Sequence, residues 1–338
     1  MRNPEFDDAR LDHPDVMEDA QLRTLAESGA RIRRACLLEP VGTLERMDRP
    51  RGVLVLGAEA RLVRAVLEPI CPVPFLAWPG PALPAWVGPL DLVVVMGGRD
   101  APEWEVACTY EAARRGATLI VAAPESSPLA VAGSSHATTR IPVSGADPMA
   151  AAVAVLELLG RLELGPQVNP EHVADAADLV AEACSPIRNL AENPSKDLAI
   201  GLAEAVPLVW GGTTLAMRAS RRIAEALRRA SGRPALAADA DELETLLRAV
   251  TPRDPFSDPD ESGTDVTPVL LMLDDDKVPD RLAEVPRQLA RLAEAMGVRV
   301  CRISSGERAL GGSDVESYVT LLQYGRYAAA YLRLGLTT

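Results

Sequence analysis

The sequence predicts an α/β protein of three layers, α/β/α, with two domains that each carry a parallel sheet. Three observations predict it. Apolar runs stop at glycine and give way to helical patterns at Val53–Gly57 and Leu92–Gly98, and the same unit returns at Val206–Gly212. The chain has 338 residues, room for two domains of ordinary size. Hydrophobic residues make up 48% but aromatics only 4%, so the cores must be built from Ala, Val and Leu.

In chain order, residues 1–50 read as a charged helical segment. Leu22, Leu25, Ile32 and Leu37 recur at helical intervals across Asp19–Glu39, with Arg31, Arg33 and Arg34 on other faces. A first domain is expected over 51–165. Its strands are 52–56, 73–77, 92–96, 118–122 and 138–143; its helices are 59–69, 103–115 and 147–162, the last with Asp147 as N-cap. A helix at 171–183 falls in a connecting segment, 166–190. The second domain is expected over 191–312. Asn193 is a suitable N-cap, with proline at the first helical position. Strand 206–210 leads into a basic helix, 213–230. A short strand or loop near Leu236, a helix at 241–250, a loop at 251–267, strand 269–273, helix 279–295 and strand 298–303 come next. A long helix, 314–334, falls in the closing segment 313–338.

Composition narrows the function classes. A formal charge of −13 argues against a nucleic-acid binder, which presents a basic face. No apolar run reaches the roughly 18 residues of a membrane span, and the acidic start does not read as a secretory signal. Five cysteines without paired spacing fit a reduced, cytoplasmic setting, and no cofactor or metal is expected. Asp274–Asp276 could ligate a hard cation, but acidic residues after a strand more often form a solvated turn.

The strand-end glycines are the best candidate ligand positions. Glycine there lets a backbone N–H approach an anion at the next helix start, where the dipole helps; a plain tight turn is the alternative at each. The candidates are Gly57; Gly97, Gly98 and Arg99; and Gly211, Gly212, Thr213 and Thr214, with Arg218 close behind. Glu59 opposes an anion at the first turn, and Asp100 offsets Arg99 at the second. Neither a G-x-G-x-x-G fingerprint nor a phosphate loop ending in Gly-Lys-Ser/Thr occurs. The histidines are His13, His136 and His172, none with a visible catalytic partner.

Several stretches together resemble the tandem sugar-isomerase (SIS) domain proteins, specifically the bifunctional phosphoglucose/phosphomannose isomerases. They are Asp8–Met17, Glu192–Ala199 followed by Val206–Gly212, Ala216–Arg218 and Ser317–Leu332. The resemblance implies two SIS-like domains, a homodimer, and a sugar phosphate such as a hexose 6-phosphate as ligand. Departures from the family pattern are systematic. Its hydroxyl-rich phosphate loop is Met96–Glu103 here, without a hydroxyl, and its Pro-Arg pair is Pro148 and Met149. Its Asn-His-Asn-Glu motif should come after Pro234–Leu236, where this chain reads Ala237–Glu244 without histidine. The family's terminal lysine has no counterpart. Aldose–ketose isomerisation needs a base and an acid, and Glu242 or Glu244 are the carboxylates available as a substitute catalytic base. The expectation is therefore carbohydrate-derivative binding with weak or no turnover. An active isomerase with replaced catalytic groups and a non-catalytic partner of a sugar-metabolic enzyme stay open.

Overall fold

The computed structural model describes residues 5–42, 48–57, 59–143, 148–250, 267–275, 283–306 and 313–336. Asp147, Asp276 and the expected loop at 251–266 lie outside them. The chain forms two compact units, one of residues 28–175 and one combining 1–27 with 176–338.

In the unit of 28–175, α2 (Ser28–Leu37) precedes β1 (Val53–Gly57), α3 (Ala60–Leu67), β2 (Phe75–Ala77), β3 (Leu92–Met96) and α4 (Glu103–Arg114). Then come β4 (Thr118–Ala123), α5 (Pro128–Ala132), β5 (Thr138–Pro142) and α6 (Pro148–Arg161). The sheet order is β2-β1-β3-β4-β5, and every pairing is parallel. β3 is buried along its whole length and β1 up to Gly57. These strands read as continuous apolar runs because helices cover both faces of a parallel sheet.

The other unit opens with α1 (Ala20–Ala26). From the second part of α7 (Pro170–Ala183), which crosses the boundary after Asp175, it continues through α8 (Pro194–Leu202), β6 (Val206–Gly211), α9 (Thr214–Ser231), β7 (Leu236–Ala237) and α10 (Ala240–Arg248). β8 (Pro268–Asp274), α11 (Glu284–Ala295), β9 (Arg299–Ser304) and α12 (Asp314–Gly335) complete it. Its sheet is β7-β6-β8-β9, again parallel throughout. Each half therefore has the expected parallel sheet, and the two share a strand order. The first strand of each sheet lies between the second and the third, so the order reverses between β1 and β3 and between β6 and β8. Open α/β sheets bind ligands outside the carboxyl ends of their strands at such a reversal.

The helix expected across Asp19–Glu39 is two helices, because the chain breaks at Glu27 between α1 and α2. The two halves belong to different units. α5 was not expected: Ser127 caps it through a bond from Ala130 N, with proline at its first position. α6 and α12 are buried over nearly their whole length. No described helix is long and apolar enough to cross a membrane.

A buried lysine organises the unit that holds both chain ends. Lys196 in α8 has a fully buried side chain. Its Nζ donates to Asp12 Oδ1 at 2.7 Å, to the Arg188 carbonyl at 2.8 Å and to the Pro186 carbonyl at 3.2 Å. The Tyr331 ring of α12 lies 5.7 Å from it. Asn193, one residue before α8, caps that helix and also donates to Tyr331 Oη. Around this centre the N-terminal segment lies along the last helix. Phe6 bridges Leu336, Asp7 N donates to the Gly335 carbonyl at 2.9 Å, and Arg333 pairs with Asp19 at 2.6 Å.

Removing the carboxylate leaves a buried ammonium without a counter-charge. Asp12→Ala is expected to cost about 3 kcal/mol in urea unfolding. Lys196→Met should cost less, about 1 kcal/mol, because Asp12 is 44% exposed and returns to water. The reverse order of the two losses would show that the ammonium is not held as described.

Candidate functional site

At the reversal point of each sheet a glycine is required by close approach. Gly57 ends β1 with φ of +111°, a conformation L side chains rarely adopt, and a Cβ there would stand 1.9 Å from the Met96 carbonyl oxygen. Gly211 ends β6, and a Cβ on it would stand 2.2 Å from the Ala216 backbone in the first turn of α9. Both glycines thus let a strand end pass tightly against its neighbour.

In the unit of 28–175, Gly57 lies in register with Met96, so it is brought beside Gly97 and Gly98. Glu59, after Gly57, is 2% exposed. Under the second turn lies Glu105, in the first turn of α4 and 7% exposed. Its Oε2 is 3.8 Å from the place a Cβ of Gly97 would occupy. Its carboxylate makes no hydrogen bond or ion pair among the described residues, and burial pushes its pKa up. The helical pattern of 103–115 gave no sign of this burial.

Arg99 comes directly after the Gly97–Gly98 turn and is exposed. Its Nη1 donates to Ser126 Oγ at 3.3 Å. Both line a groove of about 470 Å³, with Pro124 and Glu125 after β4, Pro142 and Val143 at the end of β5, and Arg34, Ala35 and Leu38 on and just past α2. Two guanidinium groups therefore converge at the carboxyl side of this sheet. Arg34 has no acidic partner among the described residues. The sequence placed Arg34 on an outer face of its helix and gave no role to Ser126. The readable signal for Arg34 was its spacing one turn before Leu38.

In the other unit, Thr213 caps α9: its Oγ1 accepts from Ala216 N at 3.1 Å and donates to Asp275 Oδ2. Gly211, Gly212 and Thr213 are partly exposed, Thr214 is exposed, and Arg218 is half-buried within α9. Asp275 is not part of a solvated turn. It is 3% exposed, and its carboxylate stands at the helix start. A negative side chain at a helix N-terminus is favourable for the helix. It also sets a charge where a phosphate would sit.

Glu242 and Glu244 lie on α10. Glu242 is exposed, with its backbone N–H capped by Asp239 Oδ1. Glu244 is tied to Arg248 at 2.5 Å and lines a cavity of about 260 Å³ with Asp241, Gln288 and Leu292. His13 is exposed and caps the short 3-10 turn Pro14–Glu18 through Nδ1. No cluster of three or more metal-ligating side chains occurs among the described residues. Cys184 is fully buried, and burial pushes its thiol up to about 12.

With this geometry in hand, comparison with known proteins is specific for one part of the chain. Residues 191–335 match the family model described as the bacterial phospho-glucose isomerase C-terminal SIS domain. That span contains Glu192–Ala199, Val206–Gly212 and the closing helix. The C-terminal domain of glucosamine-fructose-6-phosphate aminotransferase from Francisella tularensis superposes with a TM-score of 0.64 at 10% identity. The match covers 93% of this chain and 95% of that one. Tagatose-6-phosphate ketose/aldose isomerase from Escherichia coli gives 0.62 at 13% identity, over 94% and 89%. A glucose-6-phosphate isomerase like protein from Thermus thermophilus gives 0.51 at 17%, over 94% and 92%. Identities this low show a shared fold, and the fold is that of SIS-domain phosphosugar isomerases. No curated protein matches the chain in sequence.

The buried Glu105 makes a pH-dependent contribution that can be measured. Burial keeps its proton bound to a higher pH in the folded chain than in the unfolded one. Stability therefore falls as pH rises through that window, and the loss is complete above the folded value. Glu105→Gln should be more stable than the parent in urea at pH 8. The gain should shrink as pH falls towards the ordinary carboxyl value of 4.5. A gain that is independent of pH would reject a buried, proton-binding Glu105.

Proposed function

We propose that this protein binds a phosphorylated carbohydrate derivative in the unit of residues 28–175, and that it isomerises hexose phosphates weakly or not at all. The observation that carries the reading is the groove in which Arg34 and Arg99 converge with Ser126 at the carboxyl side of the sheet. Arginine forks suit phosphate oxygens in two-point contacts. The match of 191–335 to a phospho-glucose isomerase domain supports a sugar phosphate over other anions. The Gly211–Thr214 turn is the weaker seat, because Asp275 already accepts the Thr213 hydroxyl there.

Weak turnover agrees with the same lining. Among the described residues Glu125 is the one carboxylate of the groove, it is exposed, and neither histidine nor lysine lines the groove beside it. Proton transfer between adjacent sugar carbons needs a positioned base whose pKa is tuned to the task. Glu242 and Glu244 remain the substitute bases to test, as the resemblance suggests. Homodimer assembly belongs to the same reading, and exposed Tyr110 and Val131 leave apolar surface for it.

Calorimetry with glucose 6-phosphate, mannose 6-phosphate and fructose 6-phosphate tests the binding. Arg34→Ala and Arg99→Ala should each weaken it about tenfold, the worth of one charge-assisted hydrogen bond at an exposed site. Thr213→Ala should leave it unchanged. The absence of heat at millimolar ligand would reject the sugar-phosphate reading. Loss in Thr213→Ala alone would move the site to the other unit. A coupled isomerase assay should show little turnover, and robust activity that vanishes in Glu242→Gln or Glu244→Gln would identify the working base instead.

A further inference from the structure

The groove has a second chemical character that a phosphate does not use. Among the described residues its polar side chains are Arg34, Arg99, Glu125 and Ser126. The rest of the described lining is Ala35, Leu38, Pro124, Pro142 and Val143, which offer no side-chain hydrogen bond at all. A bare hexose phosphate carries several hydroxyls, and a site built for it supplies partners for them, since unpaired buried hydroxyls weaken binding. Once the two guanidinium groups hold the phosphate, Glu125 and Ser126 are the polar side chains left among the described lining, too few for a full set of sugar hydroxyls. A volume of about 470 Å³ also leaves space beyond the phosphate and falls in the ordinary range for small-molecule sites, about 300–1,000 Å³.

The apolar wall is continuous with the cationic end and is fixed in place. Arg34 and Leu38 are one helical turn apart, so cation and apolar side chain open into the same groove. Leu38 is 49% exposed there, apolar surface that a ligand would cover. The chain just beyond it is clamped to β5: Val41 N donates to the Arg140 carbonyl at 2.9 Å, and Arg140 N returns a bond to the Val41 carbonyl at 2.8 Å. Arg33, next to Arg34, is held by Glu171 at 2.8 Å and by Asp175. The wall is therefore not a loose terminus that swings away.

The geometry points to a two-part ligand: a phosphate seated by Arg34 and Arg99, and an apolar substituent lying against Ala35, Leu38, Pro142 and Val143. That is a sugar phosphate bearing an apolar aglycone rather than a plain hexose phosphate. The assignment rests on the phosphate-binding reading above and adds the class of sugar derivative to it.

The test compares three ligands by calorimetry on the full chain: glucose 6-phosphate, phenyl β-glucoside 6-phosphate and phenyl β-glucoside. The phenyl phosphate should bind about tenfold tighter than glucose 6-phosphate, as expected for partial burial of a ring in an open groove. Leu38→Asn should erase that gain and leave glucose 6-phosphate unchanged. Leu38 is exposed enough for the variant to keep its fold, and Val143→Thr provides a second probe of the wall. Phenyl glucoside without phosphate should bind more weakly than either phosphate. Equal affinities for the two phosphates, or a gain that survives in both variants, would overturn the two-part ligand while leaving phosphate binding intact. If neither phosphate binds, the phosphate reading fails and this inference falls with it.

Discussion

The unit that contains both ends of the described chain depends on one buried charge. The Lys196 ammonium gathers a carboxylate from the N-terminal segment, two carbonyls from the stretch before α8, and the face of an aromatic ring on α12. Each of its three protons is used, which is what allows a lysine side chain to be wholly out of water. Asn193 completes the centre. Its amide oxygen accepts from Ser195 and Lys196 at 3.1 Å each, while its nitrogen reaches Ser185 and Tyr331. Helix capping, charge burial and long-range docking are thus one network, and its members are coupled rather than additive.

The two sheets show how one topology accommodates different chemistry. Both reverse strand order after the first strand, and both need a side-chain-free residue where that strand ends. The side chains around these glycines differ. In one unit an exposed arginine stands just past the turn after the neighbouring strand, and a buried carboxyl lies beneath that turn. In the other, a threonine hydroxyl is engaged by an aspartate just past the end of the neighbouring strand. The same backbone arrangement thus carries an exposed arginine in one unit and an aspartate-bound threonine in the other. The fold rests on the strands and the glycines that close them, which is why structural neighbours of low identity can share it.

Much of the architecture was legible because its signals are local. Continuous apolar runs ending in glycine marked β1, β3 and β6, and Asn193 before Pro194 marked the start of α8. The misreadings have local causes too. The apolar spacing from Leu22 to Leu37 continues across Glu27, so nothing in the pattern announced a break. No element was expected between 122 and 138, where Ser127 before Pro128 starts α5. The site was less legible because burial is not written in residue type. Asp275 looks like any acidic strand end until the Thr213 hydroxyl is seen beside it, and Glu105 looks like an outward helical glutamate. Arg34 and Arg99 are 65 positions apart by their numbering, and only the fold makes them neighbours of one groove.

The pairing of Phe6 and Asp7 with Leu336 and Gly335 sets an order of assembly. On a ribosome, residues 28–175 have every strand of their sheet available once β5 has emerged. The segment before them has to wait, because its seat, α12, is made after both sheets. Its Leu11, Val16 and Leu22, all buried in the finished protein, stay without their cover until α12 has left the exit tunnel.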